Sequence, residues 1–268
     1  MFFPKLQNFL ITFAAKIIQM IEIQKEAEFS ALKREQWDDI DYGSWFKTKR
    51  GVLVDELERK ALLKALQGKK YELLLDIGIA TGRQAETYHT FINKLVGIDI
   101  SSQQLEYAKK TAAKLNLPAE FLVCNDASKL DFPDQHFDAI ICTRVLQHLY
   151  DWKAAIKDFN RVLKPNGDLY LITYNRFSIY GVAKWFQKTF VNSVKGKFRN
   201  PIDITRELKK NGFIIEHYAG AMIAQPSIFP GSTIKFFTPA LRMVESLNQT
   251  FPFKYFGERQ VIRAKKIH

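Results

Sequence analysis

The residues best placed to do chemistry are one small-residue turn and three aspartates that follow apolar runs. Leu73-Leu-Leu-Asp-Ile-Gly-Ile-Ala-Thr-Gly-Arg83 reads as a buried strand, a tight turn and the start of a helix. Asp76 lies near the end of the strand, and Gly78, Ala80 and Gly82 make the turn. Small residues at alternate positions let a backbone approach a ligand closely. Such a turn suits the first βα junction of a doubly wound sheet, where nucleotides bind. A glycine-rich turn without any ligand is the plain alternative. The dinucleotide spacing Gly-x-Gly-x-x-Gly fails, because Ala80 takes its second position and Arg83 its third.

The second aspartate ends Val96-Gly-Ile-Asp99, 21 positions after Gly78. A carboxylate at that strand end can accept hydrogen bonds from both hydroxyls of a ribose. The third lies in Cys124-Asn-Asp126-Ala and can accept from an adenine amino group. A turn or helix-cap role fits Asp126 as well. Arg144 suits an anionic substrate or a cofactor carboxylate. Tyr42, Trp45 and Phe46 form an aromatic cluster ahead of the first strand, suited to closing over a ligand or to core packing.

These residues need a scaffold that brings distant strand ends together. Candidate strands are Glu72–Ile79, Leu95–Ile100, Ala119–Asn125, Phe137–Thr143 and Asp168–Tyr174, with two more at Phe213–Ala219 and Gln260–Lys265. Helical patterns fall between them, notably Ser102–Leu115 and Trp152–Leu163, and Arg83 to Phe91 can continue as a helix after the turn. Strands alternating with helices imply parallel pairing through right-handed crossovers. Arg161-Val-Leu-Lys-Pro-Asn-Gly-Asp-Leu reads as a helix end, a turn and a buried strand. The expected fold is therefore α/β, a doubly wound, Rossmann-like sheet. Residues 1–70 read as an N-terminal helical segment or cap, and 71–268 as the main domain with a lid at 176–200.

Charge is uneven along the chain. Residues 1–70 sum to +3 and 71–150 to −3, whereas 151–268 hold 20 basic against 8 acidic residues. That excess points to an anionic substrate, an anionic membrane surface or nucleic acid, with a solvated basic surface as the plain alternative. From Arg176 to Arg199 six basic residues occur without an acid, interleaved with aromatics. Residues 1–21 are amphipathic at helical spacing, interrupted by polar residues throughout, so they suit a membrane surface or the roof of a site rather than a span. Cys124 and Cys142 sit in apolar runs and read as two free thiols in a reducing compartment. No Cys/His spacing suggests a metal site.

Read as Asp-x-Gly-x-Gly-x-Gly, the turn resembles motif I of the class I S-adenosylmethionine-dependent methyltransferases, with alanine in place of one glycine. Asp99, Asp126 and the blocks Phe137–Leu149 and Arg161–Ile172 follow in that family's order. The chain is most similar to the small-molecule branch that includes ubiquinone and menaquinone biosynthesis methyltransferases. Tyr42-Gly-Ser-Trp-Phe, Arg50-Gly and Glu56-Leu-Glu58 resemble the segment that precedes motif I there. The resemblance implies a mostly parallel sheet with an antiparallel last strand. It implies S-adenosylmethionine as cofactor: Gly78–Gly82 around the methionine, with Asp76 holding the loop and the amino group. Asp99 with Ile100 would take the ribose, and Asn125, Asp126 and Ala127 the adenine. Thr143 would lie beside the methionine and ribose. His148 is the candidate general base, with structural packing as its alternative. Gln147 stands where metal-using relatives carry glutamate, so no metal is expected. Tyr42, Trp45 and Arg144 are the candidate substrate contacts. The acceptor is expected to be a small molecule, apolar, anionic or lipid-linked, in the cytoplasm, with peripheral membrane contact through 1–21 and 176–199. An RNA (tRNA) methyltransferase ranks behind, since no Asn-Pro-Pro-Tyr-type motif follows the fourth strand. A non-catalytic S-adenosylmethionine-binding protein is the third reading.

Overall fold

The computed structural model describes residues 28, 34–35, 37–38, 42–178, 180–182, 198–223 and 234–268, with backbone alone at 42 and 234–236. The amphipathic segment 1–21 and most of the expected lid lie outside the described residues.

Helix α1 (Tyr42–Trp45) leads into α2 (Lys49–Leu66), whose N-cap Thr48 accepts from the Gly51 N–H. Then follow β1 (Tyr71–Ile77), α3 (Ala85–Tyr88), β2 (Ile92–Asp99), α4 (Ser102–Lys114), β3 (Ala119–Val123) and β4 (Phe137–Thr143). The chain continues with α5 (Trp152–Val162), β5 (Leu163–Tyr174), α6 (Pro201–Lys210), β6 (Phe213–Ala221), α7 (Ile234–Glu245) and β7 (Arg259–Lys266). The strands form one sheet in the order β3-β2-β1-β4-β5-β7-β6. Ladders from β3 to β5 are parallel, and β7 runs antiparallel to both β5 and β6. Sheet order reverses between β1 and β4, so their carboxyl ends open a crevice where ligands of such sheets bind.

Two apolar layers hold the helices to the sheet. On one face Leu75, Ile77, Phe137, Ile140, Leu169 and Leu171 meet Ile156 and Phe159 of α5 and Ile204 and Leu208 of α6. On the other, Leu74, Leu95, Ile141 and Tyr170 meet Ala61, Leu62, Ala65 and Leu66 of α2. The α2 residues recur at three- and four-residue spacing, as a helix laid on a sheet requires. Helix α5 starts at Asp151, whose carboxylate accepts from the Lys153 and Ala154 N–H groups, and α6 starts at Asn200 with Pro201 in its first turn.

All seven expected strands form, with two differences in local structure. The helix expected over Arg83–Phe91 is reduced to α3 and the 3-10 turn His89–Phe91. Tyr88 is fully buried there and β2 begins at Ile92, so a longer helix has no room. The Pro-Asn-Gly turn expected before the fifth strand is absorbed into β5. Asn166 takes a left-handed φ of 63°, and a register shift between Phe137 and Ala139 accommodates the extra length. Helix α7, which contains Pro239, packs Leu241 beside Leu53, Val54 and Leu57 of α2. Among the described residues no helix is long and apolar enough to cross a membrane.

Candidate active site

The loop after β1 is built from backbone. Gly78 and Ile79 both donate to the Ile98 carbonyl, at 2.8 and 3.1 Å, which ties the turn to β2. Gly78 has φ +70°, and a Cβ there would meet Val145 Cγ2 at 2.2 Å. Gly82 has φ +73° and leaves room for α4, with Ala108 Cα 3.2 Å from where its Cβ would stand. Thr111 of α4 donates to the Thr81 carbonyl at 2.9 Å. Between the two glycines Ala80 holds φ +48°, a conformation that costs an L-residue roughly 1–2 kcal/mol. Ala80→Gly removes that strain but loosens the unfolded chain. Its expected net effect in urea unfolding is between neutral and about 1 kcal/mol stabilising; a loss above about 1 kcal/mol would contradict this account of the loop.

Two aspartates underlie the loop. Asp76 is buried and accepts from the Tyr88 hydroxyl at 2.5 Å. Burial, with the Asp99 charge nearby, pushes its pKa up from 3.8 to about 7 against the opposing Tyr88 hydrogen bond. Folding thus favours the protonated acid. That contribution is complete below about pH 4 and is lost as pH rises through 7, an effect of about 4 kcal/mol. Glu245, buried beneath the Met222 and Ile223 N–H groups and also raised to about 7, acts in the same direction. Asp76→Asn should flatten the decline in unfolding free energy between pH 4 and 7, measured by urea titration at several pH values. An unchanged slope would remove Asp76 as its cause.

Asp99 is the loop's second anchor. Its two oxygens accept from the Ala80 N–H at 2.8 Å and the Ser101 N–H at 3.0 Å, and the Ile100 N–H also bonds the carboxylate. One side chain therefore fixes the loop after β1 to the start of α4. Burial raises the Asp99 pKa, opposed by these backbone bonds.

Beyond β3 the Asp126 carboxylate takes the Ser128 N–H at 2.8 Å and hydroxyl at 2.7 Å, a turn-capping arrangement, with Ala127 buried beside it. Asn125 Oδ1 accepts from Arg34. That contact belongs to a second set, which the spacing of motifs did not reveal. The Trp37 carbonyl accepts from Gln104 at 3.4 Å, and the Asp38 carboxylate accepts from the Ser101 hydroxyl. The Trp37 ring meets the His148 ring edge-on at 5.4 Å. Arg34, Trp37 and Asp38 thus touch the segments that follow β2, β3 and β4. A polar run with three acids at 38, 39 and 41 was the only local hint.

At the end of β4, Thr143 Oγ1 is buried and has no hydrogen-bond partner among the described residues. Arg144 follows with φ +58°, its N–H bonded to the Ile172 carbonyl at 2.6 Å. His148 is half-buried at the end of the 3-10 turn Leu146–His148. Arg144 Nε lies 3.7 Å from Glu58 of α2, and its guanidinium lies 5.5 Å from the Phe46 ring. Arg83 covers the same ring at 4.0 Å. Phe46 therefore reaches the site, whereas Trp45 packs edge-on against it at 4.8 Å and is 41% exposed. The Tyr42 side chain lies outside the described residues. Cys124 and Cys142 are free, with thiols pushed up to about 11 and about 12, mainly by burial. Among the described residues no cluster of His, Cys, Asp and Glu suits a metal ion.

The sequence and the fold have known counterparts. The methyltransferase-domain family matches residues 75–171. The uncharacterized methyltransferase YcgJ of Bacillus subtilis is 26% identical over 113 residues, 42% of this chain but only 45% of that protein. A ubiquinone biosynthesis O-methyltransferase of Rhodopseudomonas palustris is 28% identical over 181 residues, 64% of this chain and 69% of that protein. The geranyl diphosphate C-methyltransferase of Streptomyces coelicolor A3(2), solved with S-adenosyl-L-homocysteine, superposes with a TM-score of 0.61 at 13% identity, over 89% of this chain and 98% of that one.

Proposed function

We propose that the chain is a class I S-adenosylmethionine-dependent methyltransferase and, from that premise, that its acceptor is a small apolar or lipid-linked molecule. The observation that carries the acceptor class is an aromatic rim. Phe251 is 80% exposed, and Phe253, Tyr255 and Phe256 are exposed beside it. The Asn175 amide, just past β5, donates to the Tyr255 and Gly257 carbonyls at 2.7 and 2.9 Å, which holds this rim at the carboxyl ends of the strands. Exposed aromatics grouped in this way suit an apolar ligand or a membrane interface. The lysine among them, Lys254, adds attraction to an anionic surface. We propose that segments 1–21 and 176–199 meet the same anionic surface, at the cytoplasmic side.

The residues present fit the cofactor. The Asp99 carboxylate keeps acceptor capacity beyond its backbone bonds for the ribose, the small-residue loop offers its backbone to the methionine part, and Thr143 offers a hydroxyl without a partner among the described residues. Bound S-adenosylmethionine supplies an activated methyl group, so the protein's task is alignment. The loop after β1 and Asp99 set the donor's position. His148, at the mouth of β4, takes the proton of an acceptor hydroxyl or amine. Phe46, Trp37 and Asp38 keep water from the reacting atoms.

Flotation with phosphatidylglycerol-containing liposomes tests the acceptor class. Binding should weaken at high salt and fall several-fold in a Phe251→Ser/Phe256→Ser variant or on deletion of 1–21. Absence of salt-sensitive binding in the unaltered protein would sink the lipid reading and leave the premise untouched.

A further inference from the structure

We infer that Glu58, on the helix preceding β1, is a positioning residue that sets the charge of the methyl-transfer site and thereby favours the cationic cofactor over its neutral product. The inference rests on the S-adenosylmethionine premise. Glu58 has no exposed surface. Its Oε1 accepts from Arg83 at 3.0 Å and from the Gln84 amide at 2.7 Å, the two residues that follow the cofactor loop. Its Oε2 lies 3.7 Å from Arg144 Nε and 3.8 Å from Arg259 Nε. One carboxylate thus faces three guanidinium groups. They come from the end of the loop, the residue after Thr143 and the first residue of β7.

The remaining charges around this centre are paired off it. Asp55, one turn before Glu58 on α2, holds Arg83 and is itself held by Arg59 at 2.9 Å. Glu258 holds Arg259 at 2.6 Å, and Arg259 lies 3.6 Å from the Tyr174 ring. Arg59 reaches Glu86 at 2.8 Å. Among the described residues, three carboxylates (Asp55, Glu58 and Glu258) face Arg83, Arg144 and Arg259. Removing the Glu58 carboxylate makes the layer between α2 and the strand ends more positive by one unit charge. A sulfonium brought to the β1/β4 crevice would then meet a more repulsive field. At an effective dielectric of about 20, one unit charge about 10 Å away changes the binding of a cation by about tenfold. S-adenosylhomocysteine lacks the sulfonium charge, so the same change leaves it nearly unaffected. A residue that only braces the fold has no reason to separate the two ligands.

The test is calorimetric titration of the full chain with S-adenosylmethionine and S-adenosylhomocysteine, alongside thermal unfolding. Glu58→Gln should weaken S-adenosylmethionine about tenfold more than S-adenosylhomocysteine, and Glu58→Asp should restore most of the difference. Arg144→Gln removes a positive charge from the same layer and should shift the ratio the opposite way. Equal weakening of both ligands in Glu58→Gln, or an unmoved ratio, overturns the inference. If Glu58→Gln does not fold, Arg144→Gln decides alone, because an unmoved ratio there is equally fatal. If the unaltered protein binds neither ligand, the cofactor premise has failed rather than the role of Glu58.

Discussion

Asp99→Ala should weaken S-adenosylmethionine binding by about 100-fold or more in calorimetric titration. Hydrogen bonds to a charged group are worth about 1.5–3 kcal/mol each, and two ribose hydroxyls lose their acceptor at once. The Ala80 and Ser101 N–H groups lose theirs too, so the loop after β1 is no longer tied to α4 by a side chain. Asp99→Asn keeps one acceptor oxygen and should fall between. His148→Ala provides the contrast: it touches the Trp37 ring rather than the cofactor loop, so binding should persist while turnover drops. A typical loss of a general base is about 100-fold or more. Normal cofactor affinity in Asp99→Ala would show that the ribose lies elsewhere.

Gly78→Ala should destabilise the protein by about 3 kcal/mol, or about 10 °C in Tm, and abolish measurable cofactor binding. Two costs combine. The new Cβ would stand 2.2 Å from Val145 Cγ2, and the residue would be held at φ +70°. They can be separated, because Val145→Ala removes the clash and leaves the backbone strain. The double variant should therefore regain part of the loss, leaving roughly 1–2 kcal/mol. If Gly78→Ala alone melted normally, the loop would not have the conformation described.

How much of this was legible in the sequence depends on what carried each signal. The strands were readable because buried parallel strands are near-continuous apolar runs, as in Leu73–Leu75 and Ala139–Cys142. The start of β5 was not, since Lys164-Pro-Asn-Gly167 looks like a connection and only pairing with β4 after the register shift makes it a strand. Helix α7 was hidden by Pro239 in its middle. The tight turn after β1 was readable because backbone shape constrains residue type locally, as the positive φ of Gly78, Ala80 and Gly82 shows. Glu58, Phe46 and Arg83 were not assembled in advance. They converge across 25 or more positions, and no spacing rule ties an acid on one helix to an arginine after the next strand. Tyr88 as the partner of Asp76, only 12 positions on, also escaped notice, because no spacing rule ties an acid near a strand end to a tyrosine beyond the next turn.

The place of β7 has a consequence for how the molecule is made. Residues 259–266 are synthesised after every other described strand, yet they lie between β5 and β6. A nascent chain that has emerged only as far as β6 has a gap where two ladders must later form. Until it is filled, β5 and β6 each present an unpaired edge, which invites pairing with another chain. β7 pairs with both neighbours along nearly its full length, so its insertion closes the sheet in one late step. The same step brings Arg259 under Glu58, so the ionic layer is completed only when the sheet is.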